Sequence, residues 1–270
     1  MMFKKYLRIF EKKAVKIEKR IRLVISVVSL TFLLIFSTFF YFDKALIFII
    51  SFFILGYFFT YFALLEDIKS FDWFGLFFIP IFLTIVFYLF YFLFPSRWLT
   101  RLPFVVFYGI SIYAALLCSN IFNVGVEKSL QLYRAAFSVN YFYLTLLSFM
   151  AFNLLFYFKQ YFFINFLVIF ITSFLLSFHL FWTVKLNKRP DKKLFHYSFF
   201  LSLILGELAV ILSFLPVKGV ISSLFLTASF YSLGGVIYNY IDNRLFKEVI
   251  REYLFVWVFI FIITLLSINF

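Results

Sequence analysis

The stretch "YFFINFLVIFITSFLLSFHLFWTV", Tyr161–Val184, runs 24 positions with no acidic residue and no Lys or Arg. As a helix rising 1.5 Å per residue it reaches about 36 Å, enough to cross a bilayer's hydrocarbon core of about 30 Å. Barrel strands are excluded because they alternate polar and apolar, whereas this run is apolar on every face. Eight further long apolar runs, one of them interrupted by Glu207, occur along the chain. They cover Leu23–Phe42, Ala45–Leu65, Trp73–Phe94, Pro103–Ser119, Ala135–Tyr157, Phe195–Leu215, Gly219–Tyr240 and Tyr253–Phe270. The expected fold is all-α: a polytopic transmembrane bundle of about nine spans, forming a single unit over residues 23–270.

Composition agrees. Of 270 residues 65% are hydrophobic and 14% charged, far short of the polar shell a soluble domain of this length needs. Forty-nine Phe residues are explained by T-rich codons as readily as by any aromatic-specific function. The one cysteine, Cys118, allows no intrachain disulfide. His179 and His196 stand 17 residues apart outside any zinc-binding pattern, so no metal is expected.

The formal charge of +13 would point a soluble protein towards nucleic acid. Here the excess lies beside the spans, which makes it a statement about orientation and leaves no expected nucleic-acid partner. With the N-terminus inside, nine spans place 20 Lys and Arg on the cytoplasmic side and 5 outside. That is the sign the positive-inside rule requires. The expectation is a multi-pass protein of the cell membrane, N-terminus cytoplasmic and C-terminus outside, with no cleavable signal peptide.

The leader "MMFKKYLRIFEKKAVKIEKRIR", residues 1–22, repeats apolar Phe3, Leu7, Phe10, Ala14, Ile17 and Ile21 at spacings of 4, 3, 4, 3 and 4. Read as one helix, it lies in the interface with its bases on anionic lipid headgroups. Small residues mark the spans expected at the centre of the bundle, since they let helices approach in lipid. These are Ser111, Ala115 and Ser119 in span four, Ser202, Gly206 and Ala209 in span seven, and Ser222 to Gly235 in span eight. The Phe-rich spans two and three are expected to face lipid, with Pro80 kinking the latter.

The longest polar interruption is "SNIFNVGVEKSLQLYRAAFSVNY", Ser119–Tyr141. Within it Asn120, Asn123, Glu127, Gln131 and Arg134 follow at spacings of 3, 4, 4 and 3, one side of a helix opposite Phe122, Val126 and Tyr133. This predicts an amphipathic cytoplasmic connector over 120–134 whose polar side faces water or the mouth of the bundle. The stretch resembles the "NIFNV…IQLLRAA" segment of an uncharacterised family of bacterial polytopic membrane proteins, most specifically over Asn120–Ala136. What the resemblance implies is membrane residence; it carries no activity.

Glu207 is the one carboxylate expected deep in the membrane, near the middle of span seven, and an ionisable group there is a functional candidate. His196, eleven residues earlier, falls on nearly the same face. With His179 these are the candidate buried functional residues; Asp242, after span eight, joins Asn120, Asn123, Glu127, Gln131 and Arg134 as a candidate at the cytoplasmic mouth. Membrane prenyltransferases share the number of spans, but "EDIKSFD" and "KLNKRPDKK" lack their paired Asp motifs and the clustered oxygen ligands that magnesium diphosphate needs. No protease signature and no phosphate loop is present, so no cofactor is expected and catalysis is not favoured. The reading is a non-catalytic scaffold or complex subunit with a protein partner. The alternative is a secondary transporter or lipid-handling enzyme with a cytoplasm-facing cavity around Glu207.

Overall fold

Each apolar run becomes one helix, because in lipid a backbone must satisfy its own hydrogen bonds. The structure is a computed structural model and describes residues 14–40, 44–65, 73–94, 98–124, 131–186 and 191–268. Among these, nine helices follow in order. They are α1 (Lys19–Ser37), α2 (Ala45–Leu64), α3 (Trp73–Tyr91), α4 (Trp98–Val124) and α5 (Gln131–Tyr157), then α6 (Phe162–Lys185), α7 (Lys192–Phe214), α8 (Gly219–Ile241) and α9 (Lys247–Leu266). Eight are long and apolar enough to cross a membrane; α3 adds a shorter apolar stretch, Gly75–Tyr91. No strand occurs among the described residues.

The helix ends use little side-chain chemistry: none of α1, α2, α6, α7, α8 and α9 has a side-chain N-cap hydrogen bond. The four free N–H groups at such an end need solvent or another partner. Hydroxyls inside the spans turn back onto their own helices, as Ser202 Oγ does to the Ser198 carbonyl and Ser229 Oγ to that of Phe225, at 2.8 and 2.9 Å. That local bond lets spans carry many Ser and Thr without paired partners. Left-handed residues close three ends: Lys159 after α5, Leu186 after α6 and Asn243 after α8.

The chain divides into two compact units, Met1–Asn140 and Tyr141–Phe270. In the first, α4 packs on α1, α2 and α3. The Phe-rich α2 is largely exposed, with 28% of its span window buried. Helix α3 overturns the expectation that it faces lipid: twelve of the seventeen residues from Gly75 to Tyr91 are buried. Aromatic interdigitation is the reason. Phe87 meets Phe104 and Tyr108 at 5.1 and 5.5 Å, and Tyr88 meets Phe52 at 5.0 Å. Such pairs add attraction beyond the area they cover. A buried Thr84–Tyr108 hydroxyl pair, 3.0 Å apart, ties α3 to α4.

In the second unit α8 is the interior helix, 61% buried and packed on α6, α7 and α9. Its small residues Ser222, Ser223, Thr227, Ala228, Ser232, Gly234 and Gly235 are all buried, as their role in close approach requires. Asn165 of α6 donates to Ser213 Oγ of α7 at 2.9 Å.

The leader needs a correction. Residues 15–17 turn, and Glu18 takes an extended conformation before α1 begins at Lys19. Ala14 and Ile21 are therefore not on one helix. Lys19, Arg20 and Arg22 belong to the span helix, and Arg22 is wholly buried. The physical cause is the inward face of α1, where Arg22, Leu23 and Ser26 are drawn inside. Residues 1–13, with Phe3, Leu7 and Phe10, lie outside the described residues.

Candidate functional site

The most elaborate side-chain assembly is at the α8–α9 seam of the second unit. Gly235 is the key to it. A Cβ there would stand 2.2 Å from Tyr253 Cζ, so the Tyr253 ring lies flat on bare backbone. From that seat it contacts the Tyr231 ring at 5.3 Å, and Tyr231 in turn stacks on Tyr141 of α5 at 5.2 Å. The Tyr141 hydroxyl donates to the Tyr231 carbonyl at 2.5 Å. The Asn239 amide donates to the Gly235 carbonyl at 2.8 Å, on the same turn that seats the Tyr253 ring. Three helices are thus locked by a neutral network with no nucleophile–base pair.

Beside this lock runs an apolar groove of about 290 Å³. Ser232, Leu233 and Val236 of α8 form one wall, and Ile250, Tyr253, Leu254 and Trp257 of α9 the other. Trp257 is fixed by donating Nε1–H to Ser229 Oγ at 3.0 Å and by stacking on Phe261 at 5.3 Å. Outside this seam α9 is bare: only 6% of its span window is buried. Sequence reasoning passed over Tyr141, Tyr231, Tyr253 and Trp257. The available signal was Gly234–Gly235, two adjacent glycines inside a span.

The candidates read from sequence scatter. His179 is enclosed on α6, 1% exposed, with the Trp182 ring 5.8 Å away. His196 is exposed and its Nδ1 donates to the Lys192 carbonyl at 2.6 Å. Glu207 is exposed as well, so neither is a buried residue. The cause is periodicity: the inner face of α7 is taken by Ser198, Leu201, Ser202, Leu205, Gly206 and Ala209, which leaves Glu207 on the outer one. With it go Phe200, Ile204, Ile211 and Phe214, all at least 43% exposed. None of the described residues hydrogen-bonds Glu207, and the α8–α9 groove does not include it.

At the α4–α5 end, Asn120 and Asn123 occupy the last turn of α4, and Gln131 and Arg134 the first turn of α5. Phe122 and Tyr133 point inward as expected, with rings 6.0 Å apart. Asn123 is buried too, while Gln131 and Arg134 face out, so these residues do not share one polar side. Glu127 lies outside the described residues. Asp242 pairs with exposed Arg244 at 3.4 Å, a surface contact of little weight. Among the described residues no three His, Cys, Asp or Glu side chains gather as a metal ligand set.

A family model described as a protein of unknown function, DUF5656, matches residues 63–267, taking in α3 to α9 and the Asn120–Ala136 stretch. The chain belongs to the DUF5656 family. The match leaves out residues 1–62, which hold the leader, α1 and nearly all of α2. Both the α8–α9 groove and the outward face of α7 fall inside the DUF5656 region. No curated protein and no solved structure matches the chain.

Proposed function

We propose that this DUF5656 protein is a non-catalytic subunit of a cell-membrane complex, threaded with its N-terminus in the cytoplasm and its C-terminus outside, and that α7 docks a partner's transmembrane helix. The carrying observation is the exposed row Phe200, Ile204, Glu207, Ile211 and Phe214, spaced 4, 3, 4 and 3 along α7. That is the spacing of a helix–helix seam, and its central member is an acid. Glu207 stands four residues from Leu203, the midpoint of Lys192–Phe214, so it sits about 6 Å from the helix centre. An acidic side chain at that depth costs on the order of 2.5–3.5 kcal/mol against lipid. A neighbouring helix carrying Lys or Arg at the same depth offsets this cost and fixes register, as single polar seam residues do in coiled coils. A second copy of this chain supplies no such cation: it would bring another Glu207.

The test is a photoreactive residue at Ile204 or Ile211, activated in native membranes. The reading requires an adduct on another protein's membrane span that contains Lys or Arg, lost in Glu207→Leu and lost again when that Lys or Arg is replaced by Leu. Adducts with a second copy alone, or with lipid alone, refute it. Reporter fusions at the two chain ends test the threading, and both ends in one compartment would overturn it.

A further inference from the structure

We propose that the α8–α9 groove is a binding site for a phospholipid with an anionic headgroup, one acyl chain lying between the helices and the phosphate on Lys247 and Arg251. The site is distinct from the α7 seam and does not depend on it. Its body is apolar and open along the side, with Leu254 58% and Ile250 40% exposed, so a chain can enter from the bilayer. From Ile250 to Trp257 it runs about 10 Å along α9, a length that a single acyl chain within one leaflet of a roughly 30 Å core exceeds.

Charge marks one end. Lys247 precedes Ile250, Leu254 and Trp257 at spacings of 3, 4 and 3, on the groove side of α9, and Arg251 stands one turn above Lys247. Both are exposed, and among the described residues neither forms a salt bridge. Of the acids of the same turns, Glu248 is turned about 100° further from the groove than Lys247, and Glu252 about 40° further than Arg251, on the side where its charge reaches Tyr231 and Tyr253. Arg244 is engaged by Asp242. Lys247 and Arg251 therefore stand nearer the groove than the acids of the same turns, on the open side that exposed Ile250 and Leu254 line, where the headgroup of a groove-bound chain must lie.

Selectivity arises at the headgroup, because an acyl chain gains little by leaving lipid for an apolar groove. One basic residue near an anionic surface favours the anionic headgroup about fivefold, and two together about thirtyfold. Trp257, in the groove wall, is a built-in reporter. In the full-length protein with Trp73, Trp98 and Trp182 replaced by Phe, brominated phosphatidylglycerol in vesicles of phosphatidylcholine should quench Trp257 far more strongly than brominated phosphatidylcholine at equal fraction. The double variant Lys247→Ala, Arg251→Ala should abolish that preference while quenching by the neutral lipid persists. Equal quenching by both lipids, no quenching by either, or a preference surviving the double variant overturns the proposal. If the three-Phe background fails to fold, the wild-type chain is irradiated with phosphatidylglycerol bearing a diazirine in its acyl chain. Label confined to the 250–257 peptide supports the site, and label spread evenly over the exposed helices overturns it.

Discussion

Gly235→Ala is the sharpest perturbation the second unit offers. The new methyl would lie 2.2, 2.4 and 2.6 Å from Tyr253 Cζ, Cε1 and Oη. Carbon atoms pack at about 3.5–4.0 Å, so the ring must retreat by more than 1 Å. Tyr253 cannot do so and keep its seat against the Tyr231 ring, 5.3 Å away. Overpacking costs about 1–3 kcal/mol and a lost aromatic pair about 0.5–1.5 kcal/mol, so roughly 2–4 kcal/mol should be lost from the α8–α9 seam. The assay is reversible unfolding in mixed detergent, with proteolysis of the Asp242–Phe246 turn as a local readout. Gly234→Ala is the control: its nearest contact is a movable Leu180 methyl at 3.2 Å, and the loss should be well under half as great. In a double-mutant cycle Gly235→Ala should cost much less once Tyr253 is Ala, because the two share one contact. Full additivity, or an unchanged unfolding free energy in Gly235→Ala, refutes the packing described here.

Three further outcomes are expected. Phe87→Ala removes the ring that joins α3 to α4 through Phe104 and Tyr108 and should cost about 3–5 kcal/mol in the same unfolding assay. Asn165→Leu breaks the bond to Ser213 Oγ at 2.9 Å and should cost about 0.5–1.5 kcal/mol, with a smaller loss in Asn165→Gln if its longer amide still reaches that oxygen. Cys118, 4% exposed and the chain's sole thiol, should resist a membrane-permeant maleimide in the folded protein and react once detergent unfolding opens the first unit; rapid labelling of the native protein would contradict its burial.

Helix number and placement were legible because apolar length is set directly by bilayer thickness, and the interior place of α8 because small residues announce close approach. Helix α3 was misjudged for a physical reason. Phe serves equally well against lipid and against another Phe, so composition alone cannot tell an outer helix from Phe87's partners in α4. Glu207 lies within α7, but on its outer face, where a buried position was expected. Position along a helix follows from counting residues, whereas facing depends on which stripe the neighbours take, and here Ser198, Ser202 and Gly206 take the inner one. The tyrosine lock was unreadable for another reason: Tyr141, Tyr231 and Tyr253 sit on three helices, joined only by the flat seat at Gly235.

A nitroxide at position 207, in a Cys118→Ala background reconstituted into vesicles without a partner, probes the outward-facing acid most directly. If α7 presents this position to lipid, the label will collide freely with dissolved oxygen and scarcely with a water-soluble nickel chelate. A label reached by the nickel chelate would mean an aqueous cavity at Glu207, and the docking seam would have to be abandoned for a transport pathway.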